Sequence, residues 1–153
     1  MWHRIICYLT ILGSAYLSSV NITSFLSDSE AETTREALKQ SFEESPVFLS
    51  DAYAEASEEL LFDDLEENLT YGSYKQHALF RIIGNILKLF GGLLLLRFRK
   101  LGFHLYIASI IFLVITGFTS LGTGPIGWSF NMLYLSAGFV FGLYFLYNYK
   151  NYT

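Results

Sequence analysis

From Asn68 to Thr153 the chain contains no aspartate and no glutamate. That absence excludes several functions at once. Paired carboxylates for general acid and base chemistry cannot come from this half, and neither can a carboxylate-rich cation site. Cysteine is nearly missing as well. Cys7 stands alone in an apolar run, so no internal disulfide and no Cys/His zinc spacing can form. Proline occurs twice, leaving few interruptions for helices. Charge of either sign is scarce, at 16% of residues against about 25% in an average soluble protein.

Apolar residues fill the space, at 52%, and the aromatic share is 18%. All 14 acids lie between Asp28 and Glu67. The chain is an acidic middle segment inside an acid-free apolar frame. Four apolar stretches stand out: about Ile5 to Leu26, Ala78–Leu96, Leu101–Leu121 and Trp128–Tyr147. A hydrocarbon core about 30 Å thick takes roughly 20 helical residues, and backbone groups in lipid must be paired within their own segment. The pattern predicts an all-α integral membrane protein of four transmembrane helices, with an acidic helical extramembrane cap between the first two. The divisions are residues 1–27, 28–76 and 77–153, the last a three-helix region at about 78–96, 101–121 and 128–147.

The first stretch also fits a signal peptide, with a basic start, MWHR, and a short apolar run. The cleavage signal is poor, and an uncleaved helix is the favoured reading. Arg4, the cluster Arg97, Arg99 and Lys100, and Lys150 all fall on one side of a four-span arrangement. The positive-inside rule makes that side cytoplasmic, with both termini inside. The expected location is a bacterial inner membrane. Trp128 at one end and Tyr147, Tyr149 and Tyr152 at the other suit interfacial aromatic belts.

In the cap, SEAETTREALKQSFEE is rich in helix formers, and Glu32/Arg35 and Glu36/Lys39 sit on neighbouring turns. Ser45-Pro46 breaks the pattern. Ser50 or Asp51 can cap a second helix, on which Leu61, Leu65 and Leu69 form an apolar face. Tyr71-Gly72-Ser73 reads as a hinge before the second span. The acidic run Asp63 to Asn68 lacks EF-hand spacing and reads as a solvated face. Ser120 to Gly127, SLGTGPIG, lacks the GK[ST] ending of a phosphate loop and reads as a flexible turn. Sequons at Asn21, Asn68 and Asn151 are explained by composition.

The residues out of place are in ALFRIIGNILKLFGGLLLL. His77, Arg81, Asn85 and Lys88 recur at intervals of four, four and three, forming one polar stripe. Gly84, Gly91 and Gly92 lie beside it, and small residues allow close helix approach. The stripe is expected to face the bundle interior. Arg81, near the outer end, is expected to snorkel to the interface. Lys88 lies seven residues deeper, about 10 Å further along the helix. A charge there costs at least a few kcal/mol unless it faces a cavity or a partner, and no acid in the other spans can pair with it. Gly138 and Gly142 form GxxxG in the last span, and Ser14 and Ser18 a small-residue pair in the first. Both suit helix contacts within one bundle.

The eleven residues Arg99 to Ser109, RKLGFHLYIAS, place a basic turn, a glycine and aromatics at the start of the third span. In this and in its order of spans the chain resembles small four-helix membrane proteins of Bacteroidota. The resemblance implies a layout and carries no activity.

His3, His77 and His104 are far apart in sequence, so no metal site is expected, nor any cofactor. No nucleophile–base pattern is present, so the chain is not expected to be an enzyme. Outside the membrane-side turn no basic face exists for nucleic acid. The expected role is a non-catalytic, multi-pass accessory or interaction subunit of a membrane assembly, with the lipid bilayer and other membrane subunits or further copies of itself as partners. The alternative is a small transporter or channel component for an anionic or proton-coupled solute, using Lys88.

Overall fold

The computed structural model describes residues 2–44, 60 and 62–153, all helix or short connection, with no strand among them. The helices are α1 (Trp2–Leu26), α2 (Glu30–Glu44), α3 (residues 62–68), α4 (Tyr71–Leu96), α5 (Lys100–Leu121) and α6 (Pro125–Tyr147). A single 3-10 turn, Tyr149–Asn151, follows. Four of these helices, α1, α4, α5 and α6, are long and apolar enough to cross a membrane. The expected Ser45-Pro46 break, the Ser50 or Asp51 cap, Leu61 and most of the second cap helix lie outside the described residues.

The α4 boundary corrects the expected hinge. Tyr71, Gly72 and Ser73 form the first turn of α4, seven residues before the expected start. Thr70 causes this. Its side chain accepts from the Ser73 N–H at 3.2 Å, and the Ser73 hydroxyl accepts from the Thr70 N–H at 2.9 Å. This reciprocal capping box satisfies two otherwise unpaired donors. Helix α6 likewise starts at Pro125, three residues before Trp128, because proline suits the first helical turn.

α4 is the central helix, packed against α1 on one side and α5 on the other, with α6 lying on α5. Glycines set these approaches. A methyl group on Gly102 would lie 2.5 Å from the Leu95 amide nitrogen and 2.8 Å from the Gly91 carbonyl oxygen. The α4 and α5 backbones therefore touch at Gly91 and Gly102. Gly92 turns the other way, against Ile11 of α1. Gly138 and Gly142 meet Ile110 and Ile107 of α5, so the GxxxG pair packs inside the bundle.

The long helices bury several polar side chains and expose many apolar ones. Ser14, Asn85, Ser109 and Asn131 are fully buried, while Leu12, Ile115, Phe139 and Leu143 are exposed. Soluble proteins rarely expose such contiguous apolar surface. At one end, the α4–α5 turn carries Phe98 at φ 55°, a left-handed conformation that non-glycine residues rarely adopt. Thr153 pairs there with the backbone of Phe98 and Lys100.

At the other end, α2 and α3 dock on the bundle. Leu65 and Leu69 are buried with Leu121 and Ile126, and Leu38 of α2 packs against them. Asp64 joins the two stretches that the sequence reading kept apart. Its Oδ2 accepts from the Ile126 N–H at 2.8 Å, and its Oδ1 accepts from Asn68 Nδ2 at 2.7 Å. A carboxylate on a helix N-terminus pairs with free amides and with the positive end of the helix dipole. Asp63 to Asn68 is thus a docked segment, and Ser120 to Gly127 is its receptor. Lys39–Glu66 and Lys75–Asp28 ion pairs border the cap.

Candidate functional site: a cationic cleft between α1, α4 and α6

The α4 stripe faces α6 and α5. His77, Arg81 and Asn85 are buried, and Lys88 is half-buried. Three of the four converge on Tyr134 of α6. The Arg81 guanidinium carbon lies 4.0 Å from the centroid of the Tyr134 ring, and Lys88 Nζ lies 5.0 Å from it. Asn85 Nδ2 donates to the Tyr134 hydroxyl at 3.3 Å. A ring face attracts cations through its quadrupole, worth up to about 2 kcal/mol when water is excluded.

Arg81 does not snorkel as expected. One Nη donates to the Phe130 carbonyl at 2.6 Å, and the side chain is 8% exposed. The reason is tertiary. α6 offers a carbonyl oxygen and an aromatic face within reach, so the guanidinium turns inward and not along its own helix.

His77 binds the neighbouring helix. Its Nδ1 lies 2.9 Å from Ser120 Oγ. Ser120 Oγ also lies 2.7 Å from the Thr116 carbonyl oxygen; with its one hydrogen placed there, its oxygen accepts from His77. That placement puts the ring proton of neutral His77 on Nδ1 and leaves the Nε2 lone pair free. Nε2 is buried without a partner, and so is Arg81 Nε.

Two cavities flank Tyr134, which lines both. The outer one, about 210 Å³, is bounded by Asn21, Ser24, His77, Arg81 and Phe130. The inner one, about 160 Å³, is bounded by Thr10, Ser14, Lys88, Tyr106 and Gly138. Leu17 of α1 lines both as well. Among the described residues no group of His, Cys, Asp and Glu is placed to hold a metal ion.

Arg97, Arg99 and Lys100 are exposed at the α4–α5 turn, far along α4 from the cleft. His3 also stands apart. Its ring stacks on Phe98 at 4.6 Å, and its Nε2 lies 3.0 Å from the Leu95 carbonyl oxygen. His104, whose Nε2 lies 3.2 Å from the Tyr149 hydroxyl, belongs to this end as well, so neither joins His77.

Sequence reasoning missed Tyr134, Asn131, Phe130 and Ser120. A signal existed for two of them. Gly127, Asn131, Tyr134 and Gly138 recur at intervals of four, three and four, a polar and small stripe on α6 that answers the one on α4. Asn131 packs against Gly117 and donates to the Gly127 carbonyl at 2.9 Å. Comparison with protein-family models, with curated proteins and with solved structures gives no match to this chain.

Proposed function

We propose that the chain is a non-catalytic, multi-pass membrane protein, an accessory or interaction subunit of a membrane assembly. Long helices that expose apolar side chains such as Leu12, Ile115, Phe139 and Leu143 while burying Ser14, Asn85, Ser109 and Asn131 suit a lipid surrounding, because water is the better solvent for the reverse. The basic turn at Arg97, Arg99 and Lys100 supports an orientation with both termini in the cytoplasm and the acidic cap outside, in a bacterial inner membrane.

The observation that carries the interaction role is the cleft itself. Arg81 and Lys88 face it, and none of the four long helices contains an aspartate or glutamate. Tyr134 shares its ring between both cations and neutralises neither. An outside group completes the charge balance, and a membrane partner is the source in this reading.

The test is the mass and composition of the native protein after gentle detergent extraction from its own membrane. A stoichiometric larger assembly, reduced by Lys88→Leu, is the expected result. A lone chain or homo-oligomer, unchanged by Lys88→Leu, would overturn the role.

The two cavities meeting at Tyr134 favour a second reading, a small transporter or channel component for an anionic or proton-coupled solute. It requires Lys88→Met to abolish flux into vesicles while folding is kept.

A further inference from the structure

We propose that the outer cavity is a binding site for an oxyanion that also carries a hydroxyl, a phosphate monoester or hydrogen phosphate group in its simplest form. Arg81 Nε–H donates to the anionic oxygen, and His77 Nε2 accepts the hydroxyl hydrogen. The inference goes beyond the interaction role and does not depend on a protein partner.

Both side chains are more than nine-tenths buried, at 4% and 8% exposure, and both line this cavity. Each also holds one buried polar atom without a partner, His77 Nε2 and Arg81 Nε. Such atoms cost about 1–3 kcal/mol when left unpaired. The two atoms are complementary. The guanidinium N–H can only donate. With the Ser120 hydrogen on the Thr116 carbonyl, His77 Nε2 is the acceptor. A ligand with only acceptor oxygens satisfies Arg81 and not neutral His77, and a neutral alcohol does the reverse. An oxyanion with an O–H satisfies both.

His77 and Arg81 are four residues apart, hence neighbours on one helix face. Phe130 and Tyr134 hold them in place. The Phe130 ring meets His77 edge-on at 5.7 Å, and its carbonyl and the Tyr134 face fix the guanidinium. Asn21 and Ser24 of α1 complete the polar lining, though both hydrogen-bond to their own helix. Three of the described acids at this end have partners of their own: Asp28 pairs with Lys75, Glu66 with Lys39, and Asp64 with the Ile126 N–H. At about 210 Å³ the space is well above what one water requires.

The depth suits either of two sources. His77 and Arg81 lie six and ten residues into α4, roughly 9 and 15 Å from its capped start. The two sources to separate are a phospholipid headgroup entering from the bilayer and a free phosphate entering from the outer end.

The experiment uses the full chain in phosphatidylcholine nanodiscs. Inorganic phosphate is titrated in one arm. In the other, phosphatidic acid or phosphatidylglycerol is incorporated, and lipid retained by the protein is counted by native mass spectrometry. Thermal melting reads binding in both. Stabilisation by phosphate assigns a free oxyanion, and stabilisation with retention of the anionic lipid alone assigns a headgroup. In the responding arm, Arg81→Met should weaken binding roughly 10- to 100-fold, the range of a charge-assisted hydrogen bond. Val20→Trp, at the exposed rim of the cavity, should block binding while leaving Arg81 and His77 in place. Val20→Trp keeps the test decisive if Arg81→Met fails to fold. No response of the wild-type protein in either arm overturns the site. An equal response of folded Val20→Trp overturns it as well. Loss of binding in Val20→Trp with an unchanged native assembly would separate this site from the interaction role.

Discussion

The Arg81 guanidinium carbon lies 4.0 Å from the centroid of the Tyr134 ring, while Lys88 Nζ approaches the same ring at 5.0 Å. One aromatic side chain of α6 therefore holds two cations of α4, seven residues apart. Tyr134→Phe keeps the ring and loses only the 3.3 Å bond from Asn85, at a cost of about 0.6 kcal/mol. Tyr134→Leu loses the ring, at about 2–3 kcal/mol. Unfolding in mixed detergent micelles measures both. Equal costs would mean that the ring face contributes nothing.

The Gly91–Gly102 contact sets the α4–α5 distance. Gly102→Ala brings a methyl group against backbone atoms that cannot turn aside, and overpacking of this kind costs about 1–3 kcal/mol. Gly13→Ala on α1 meets nothing within 4 Å and should be neutral or slightly stabilising. Melting temperatures of the two variants should fall on opposite sides of, or at very different distances from, the wild-type value.

Asp64 caps α6 from another element. Asp64→Ala removes the acceptor for the Ile126 N–H and should cost about 0.5–2 kcal/mol. The signature is local. Hydrogen exchange at Ile126 should speed up more than exchange in the middle of α6. Uniform acceleration along α6 would refute a capping role.

Asp28 links the end of α1 to the start of α4. The Lys75 ammonium, with the Tyr71 hydroxyl beside it, holds the Asp28 carboxyl below its ordinary pKa of 3.8. A carboxylate lowered in the folded state stabilises above its unfolded pKa, and that contribution disappears as pH falls through the folded value. The melting temperatures of wild type and Asp28→Asn should therefore differ at neutral pH and converge below about pH 4. The difference should be small, since the Asp28 side chain is 83% exposed and screened by water.

Much of the layout was legible because it depends on composition along the chain. Four apolar runs and the acid-free second half are one-dimensional facts, and the four long helices follow them. The periodicity of His77, Arg81, Asn85 and Lys88 was equally plain. The boundaries were less so. Tyr71-Gly72-Ser73 looks like a break by residue type, yet Thr70 and Ser73 cap each other and turn it into helix.

Sequence by itself determined that this chain makes long apolar helices and that cations sit within one of them, because periodicity and hydropathy are properties of neighbours in the chain. Only the tertiary structure decided where those cations point. Arg81 could follow its own stem toward water or cross to Phe130 and Tyr134, and the choice depends on atoms 49 or more residues away. The same holds for Asp64 and Ile126, 62 residues apart. A hydrogen bond is a matter of ångströms in space, and no pattern in sequence encodes which distant donor and acceptor the packing of helices will bring together.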